Sequence, residues 1–205
     1  MDFIINKTEK DNLINKIVLT EWHMFDKVIN IGGRANCQDD EWTFYVMRYS
    51  QFNSLSHDTL TCYMNDLEIA LATGRNLLEE KYAHMMEYTH PDYYQKNLKA
   101  NLPEISEKKA EIINNISKIM MNFEEEFSRE YPGISKKGRP SKGVNSSMVS
   151  SEVYLIGELK TYSEVTLIKF YDDVLNAKKI GKNLVTEIRK TTALLYGYKS
   201  LEMCQ

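Results

Sequence analysis

NIGGRANCQDDEWTFYVMRYSQ, running from Asn30 to Gln51, joins two helical patterns through a double glycine and an aspartate pair. Upstream of it, apolar residues recur at steps of three and four from about Thr8: Leu13, Ile14, Ile17, Val18, Trp22, Phe25 and Val28. That spacing places them on one helical face, and Asp11, three residues after Thr8, completes a variant of the capping box. Gly32 and Gly33 are expected to stop this helix at about Asn30, because glycine past the last periodic residue takes positive φ without steric cost. Asp39 or Asp40 then caps a second helix, about Asp40 to Phe52, by accepting the free amides of its first turn. Along it, Phe44, Met47, Arg48 and Gln51 fall on neighbouring positions, so Arg48 and Gln51 are expected to point toward the same interior as Phe44. The corner carries more chemistry than a connector needs.

The same reading extends to the rest of the chain. A third helix is expected from Ser56 to about Tyr88, with Leu60, Tyr63, Met64, Leu67, Leu71, Leu78, Tyr82 and Met85 as its seam. Gly74 lies inside that pattern, where it implies a kink or a close approach by another backbone. Pro91 and Pro103 bracket a short polar connection, and a fourth helix spans about Ser106 to Tyr131 until Pro132 stops it. Residues 132–150, rich in Gly, Ser, Lys and Pro, form the one long irregular segment, which reads either as a mobile basic loop or as a lid carrying Arg139 over an anionic ligand. A fifth helix starts at Ser150 or Ser151 and runs to Gly181. A last one, about Asn183 to Tyr198, is expected to bury Leu184, Ile188, Leu194 and Leu195. With no alternating strand pattern and no internal repeat, the expectation is a single all-α domain over residues 1–205, a bundle of about six helices.

Composition narrows the function classes. The 205 residues, 42% hydrophobic, suffice for one sizeable core, and the net charge of −3 offers no footprint for nucleic acid or an anionic membrane. No segment has the length of apolar residues a membrane span requires, and the leading MDFIINKTEK is too polar for a signal peptide, so a cytoplasmic location is expected. Three cysteines, Cys37, Cys62 and Cys204, show no paired spacing and read as free thiols.

Arginine usage points toward a site. Against 20 lysines stand only six arginines, and Arg34, Arg75 and Arg139 each directly follow a glycine. A chain that otherwise uses lysine keeps arginine where a planar, always-charged fork must meet a carboxylate or phosphate. Arg34, Arg48 and Arg75 are therefore candidates to clamp a small anion, with Gln51, Arg139 and Tyr154 as further binding residues. Internal carboxylates such as Glu21, Glu80 or Glu158 are the alternative partners of these arginines. Glu158 or Glu21 is the candidate acid or base, and Tyr154 or Tyr162, at i+4 steps about Glu158, the candidate donor to developing charge. Cys37 is a candidate nucleophile. It precedes a helix N-terminus, which lowers a thiol's pKa, while Asp39 and Asp40 beside it raise it. Glu80, His84 and Glu87 share a face at metal-ligand spacing but supply too few ligands, so no metal is assigned and no cofactor is specified. Three readings stand: an enzyme acting on a small carboxylate- or phosphate-bearing molecule, a non-catalytic small-anion-binding protein, and an interaction or scaffold domain held by structural ion pairs. Neither oligomeric state nor substrate is written in the residues.

The string EW-x-MF-x-x-V-x-N-x-GGRA-x-CQ from Glu21 to Gln38, followed by MR-x-SQ at Met47 to Gln51, resembles a bacterial family catalogued only as a domain of unknown function. GRNLLEEKYAHMMEYTHPDYY at Gly74 to Tyr94 and SEVYLIGELKTYS at Ser151 to Ser163 fit the same family. The last block departs at Val153 and Ile156, where a threonine and an arginine are expected. The resemblance spans nearly the whole chain and implies a shared fold and site; it supplies no substrate.

Overall fold

The computed structural model describes residues 8–30, 32–143 and 149–204. The leading heptapeptide and residues 144–148 of the irregular segment, on which expectations were placed above, lie outside the described residues. Among those described there are ten α-helices and no strand: α1 (Glu9–Phe25), α2 (Glu41–Asn53), α3 (His57–Ala72), α4 (Leu77–Thr89), α5 (Pro91–Tyr93), α6 (Glu107–Glu130), α7 (Pro132–Lys137), α8 (Ser151–Leu159), α9 (Glu164–Lys179) and α10 (Leu184–Leu195). The all-α class agrees with the sequence reading; the count of about six does not.

Capping explains two of the additional helices, and the other two, α5 and α7, open on Pro91 and Pro132. Each of the eight longer helices begins on a Ser, Thr, Asn or Asp whose side chain accepts a backbone amide of the first turn: Thr8, Asp40, Ser56, Asn76, Ser106, Ser150, Ser163 and Asn183. Such a cap is worth about 1 kcal/mol. Asn76 and Ser163 divide the two segments expected to be continuous. Gly74 is accordingly neither a kink nor a close approach: at φ 72° it closes α3, with its own N–H on the Leu71 carbonyl and the Arg75 N–H on that of Ala70.

Other boundaries move for local reasons. α1 ends at Phe25, five residues before Asn30, because the buried Gln38 side chain donates to the Phe25 and Val28 carbonyls at 2.9 and 3.0 Å and so satisfies the helix end early. Pro132 does stop α6, and it also opens α7 as its first residue, where a missing N–H costs nothing, so part of the irregular segment is helical. The connection between Pro91 and Pro103 is helical too, as α5, a π turn over Tyr94–Leu98 and a 3₁₀ turn over Lys99–Asn101.

The helices pack as α1 against α2, α3 and α4, α4 on α8, α6 on α8, α9 and α10, and α10 back on α2. Ile14, Ile17, Phe52, Leu60, Leu67, Ile116, Leu159 and Leu167 form the fully buried centre. Leu71 and Leu194, expected on buried faces, are 53% and 62% exposed, each in the last turn of its helix. Carboxylates tie caps across the bundle: Asp66 accepts from the Ser163 N–H and Thr166 hydroxyl that start α9, and Asp173 from the Ser56 N–H and Thr59 hydroxyl that start α3.

The contact that sets the α4 and α8 spacing is Gly157. A Cβ there would lie 2.6 Å from Met85 Cγ and 3.0 Å from the Lys81 carbonyl oxygen, so the helices approach over a bare backbone. Gly157→Ala is expected to destabilise the protein by about 1–3 kcal/mol, whereas Gly32→Ala, with no atom within 4 Å of the added carbon, leaves it near wild type. Denaturant midpoints of the two variants check this, and equal midpoints would remove the close-packing argument.

Candidate functional site

Arg48, near the middle of α2, is the charged centre of the bundle. Its guanidinium donates through Nε and Nη2 to the two Glu21 oxygens at 2.7 and 2.6 Å, and through Nη1 and Nη2 to the two Glu158 oxygens at 2.9 and 3.0 Å. The second Nη1 hydrogen goes to Gln51 Oε1 at 2.8 Å. All five guanidinium donors are thereby used. Glu158 receives three further bonds, from Gln51 Nε2 at 2.8 Å, Lys81 Nζ at 2.7 Å and the Tyr162 hydroxyl at 2.7 Å, while Tyr63 donates to Glu21 at 2.6 Å.

The network is electrically balanced, two carboxylates against two cations, and its charged side chains are all buried. Burial pushes the Glu158 carboxyl up, but Arg48 and Lys81 outweigh it and hold the group well below the usual carboxylate range. Burial and the adjoining carboxylates push the Tyr63 and Tyr162 phenols well above their ordinary value. Both Glu158 oxygens are saturated with donors, so the group has no lone pair facing away from the network with which to take a proton from a ligand.

Beside this network opens a cavity of about 680 Å³, within the range of sites for drug-sized molecules. Arg48, Gln51, Tyr154 and Glu158 form its polar floor. Met120, Met121, Leu155, Phe170, Leu184, Val185 and Ile188 are apolar lining, and Lys137, Arg139, Glu124 and Arg189 are charged lining. The Tyr154 ring lies beneath two cations, Lys81 Nζ at 3.9 Å and the Arg139 guanidinium at 5.0 Å from its centroid. Burial pushes its phenol up, but Lys81, the Tyr82 hydroxyl and Arg48 together bring it below the ordinary value.

The candidate residues thus separate. Arg48, Gln51, Tyr154, Glu158 and Arg139 line one cavity, and Glu21 and Tyr162 stand behind its floor. Arg34 and Arg75 do not join them, and the expected three-arginine clamp is not formed. Arg34 stays at the exposed corner, bonded to Asp26 and Asp39 at 2.6 and 2.7 Å and to the Gln38 carbonyl at 2.6 Å. Arg75 precedes the α4 cap, outside any helix, and therefore forks onto Glu80 with two 2.7 Å bonds rather than meeting Glu79 one turn on. Cys37 is exposed on the corner and away from the cavity lining. Glu80, His84 and Glu87 are not gathered: Glu80 pairs with Arg75 and Glu87 with Lys160. Among the described residues no group of three or more His, Cys, Asp or Glu could hold a metal ion.

Lys81 is the member the sequence reading missed. Its signal is its register: it falls three residues after Leu78 and four before Met85, on the apolar face of α4, where a lysine requires a buried partner. Lys137 and Arg189 were passed over because nothing local marks them.

The fold and site define an all-helical protein with a neutral, fully bonded charge network beside an interhelical cavity. No helix is long and apolar enough to cross a membrane among the described residues. The chain belongs to the DUF4125 family, described as protein of unknown function, which matches residues 11–205. No curated protein and no solved structure matches it.

Arg48→Lys replaces five fixed donors with three and leaves a buried carboxylate under-bonded, so it is expected to cost about 3–5 kcal/mol of folding stability; Arg34→Lys at the exposed corner leaves the midpoint nearly unchanged. An Arg48→Lys midpoint at the wild-type value would show that the network is not needed for folding.

His84, buried on α4 with neither ring nitrogen bonded to any of the described residues, has its pKa pushed down to about 4, first by burial, then by Lys160, with Glu87 opposing and Lys109 adding. The unfolded chain binds this proton near pH 6.5 and the native state does not. Stability therefore falls as pH drops from about 6.5 to 4, by up to about 1.4 kcal/mol per unit. His84→Gln should flatten that part of the stability–pH curve; an unchanged slope would assign it to other groups.

Proposed function

We propose that the interhelical cavity binds a small anionic molecule and that the protein acts by holding it, with Arg139 as the partner of its charge. The observation that carries this reading is the contrast between the two arginines of the lining. Arg48 has spent every donor inside the protein, whereas Arg139 is exposed at the rim and, among the described residues, has no carboxylate partner and makes only a 3.4 Å contact with the Val149 carbonyl besides its place over Tyr154. A planar fork held over an aromatic ring at a cavity mouth is suited to a carboxylate or phosphate.

Binding is favoured over acid–base turnover at the cavity floor because the carboxylates there are saturated, while Glu124 on the wall faces Arg189 at 3.7 Å. Glu158 is held ionised and accepts five hydrogen bonds, and Glu21 is occupied by Arg48 and Tyr63. An enzyme reading rests on Tyr154, which lines the cavity and whose phenol Lys81 and Arg48 help to bring below its ordinary value, as a proton donor needs. The scaffold reading fits the GGRANCQ corner, whose polar groups bond to one another, and leaves the cavity without a role.

A thermal-shift screen of small carboxylic acids and phosphate esters tests the proposal. At least one should raise the melting temperature of the wild type by a few degrees at a hundredfold excess over its dissociation constant. Arg139→Gln should melt near wild type without ligand and lose that increment. A variant that keeps the full increment would remove Arg139 from the site.

A further inference from the structure

We infer that the occupant of the cavity is an amphipathic molecule with a hydrocarbon body and a single terminal anionic group, the charge beside Arg139 at the rim and the body against Met120, Leu155, Phe170, Val185 and Ile188. This rests on the binding reading above and specifies the chemistry of its ligand.

The charge distribution of the cavity carries the argument. Its floor is neutral and closed, since Arg48 and Lys81 are matched by Glu21 and Glu158, and a second ligand charge placed there would lose hydration without gaining a partner. On the wall, Arg189 lies 3.7 Å from Glu124 and is balanced as well. Positive charge without a carboxylate partner among the described residues is left at the rim only, on Arg139 and Lys137, the latter donating to the Cys204 carbonyl. One negative group therefore has one place to go.

The walls set what must follow the charge. Between rim and floor the lining is supplied mainly by aliphatic, thioether and phenyl side chains of α6, α8, α9 and α10. Each methylene moved from water onto such a surface gains about 0.8 kcal/mol, so a small, fully polar anion would leave most of the volume's binding energy unused. Met120, Met121 and Met47 give part of the wall an adaptable shape, suited to a flexible chain.

Isothermal titration of the intact protein with a homologous series, below any micelle-forming concentration, tests the inference. Hexanoate, octanoate and decanoate should bind with affinity rising about fourfold per methylene until the cavity is filled. Decanoate should bind at least about tenfold more tightly than decanol, acetate or inorganic phosphate, and Arg139→Gln should erase the advantage over decanol. Decyl phosphate compared with decanoate identifies which anionic group the rim prefers; binding of either meets the inference. Decanol binding as tightly as decanoate would overturn the anionic head while leaving the cavity as a binding site. Acetate or phosphate binding as tightly as decanoate, or a flat chain-length series, would overturn the hydrocarbon body and leave the anion-binding reading standing. No heat with any of the probes, joined to a failed thermal-shift screen, would overturn both readings.

Discussion

One guanidinium group holds the bundle in register. Arg48 of α2 reaches Glu21 of α1 and Glu158 of α8, Tyr63 of α3 closes on the first of these carboxylates, and Lys81 of α4 closes on the second. Five helices thus meet at one charge-balanced cluster. Taking these ions out of water is expensive, and their mutual attraction returns that cost only while every donor and acceptor stays matched. A shift of any one helix by a turn would strand a charge in a low-dielectric interior, a penalty far steeper than that of misaligned aliphatic side chains. The contribution of the cluster is therefore to the uniqueness of the arrangement more than to its net stability.

The same matching decides what the neighbouring cavity can do. A buried arginine is commonly read as a ligand clamp, but a clamp needs free donors, and Arg48 has none. Glu158 in turn is held as a carboxylate by two cations that outweigh its burial, the reverse of the apolar surroundings that raise a carboxyl into the range of a general acid. The floor is polar without being reactive. What remains open to a ligand is the rim, where Arg139 leans over Tyr154, and the apolar wall between.

The corner that stands out most in the sequence has a structural explanation. Gln38, almost wholly buried, makes four hydrogen bonds: its amide nitrogen to the Phe25 and Val28 carbonyls, and its oxygen accepting from the Ala35 N–H and the Asn30 side chain. Arg34 spans Asp26 and Asp39 across the outside of the same turn. Arg34, Gln38 and Asp39 are thus used to close the chain between α1 and α2, and Cys37 stays exposed beside them.

By itself the sequence determined the helical class, most of the helix starts and the apolar faces, because capping and 3.6-residue periodicity are local effects written within a few residues of where they act. Thr8, Asp40, Ser56, Ser106, Ser150 and Asn183 were legible for that reason. Asn76 and Ser163 carry the same signal, but the apolar seam runs through both, and periodicity does not register a change of helix axis. The sequence also marked Arg48 and Gln51 as polar residues on an inward face, and Tyr154 and Glu158 as site candidates one helical turn apart. Only the tertiary structure decided which arginine meets which carboxylate, because that pairing joins residues as far apart as Arg48 and Glu158, 110 positions along the chain. Arg34 and Arg75 were equally eligible in sequence as members of the clamp. They found acids within eight residues, at the surface, and the cavity lies elsewhere because space between helices belongs to their packing and to no segment alone.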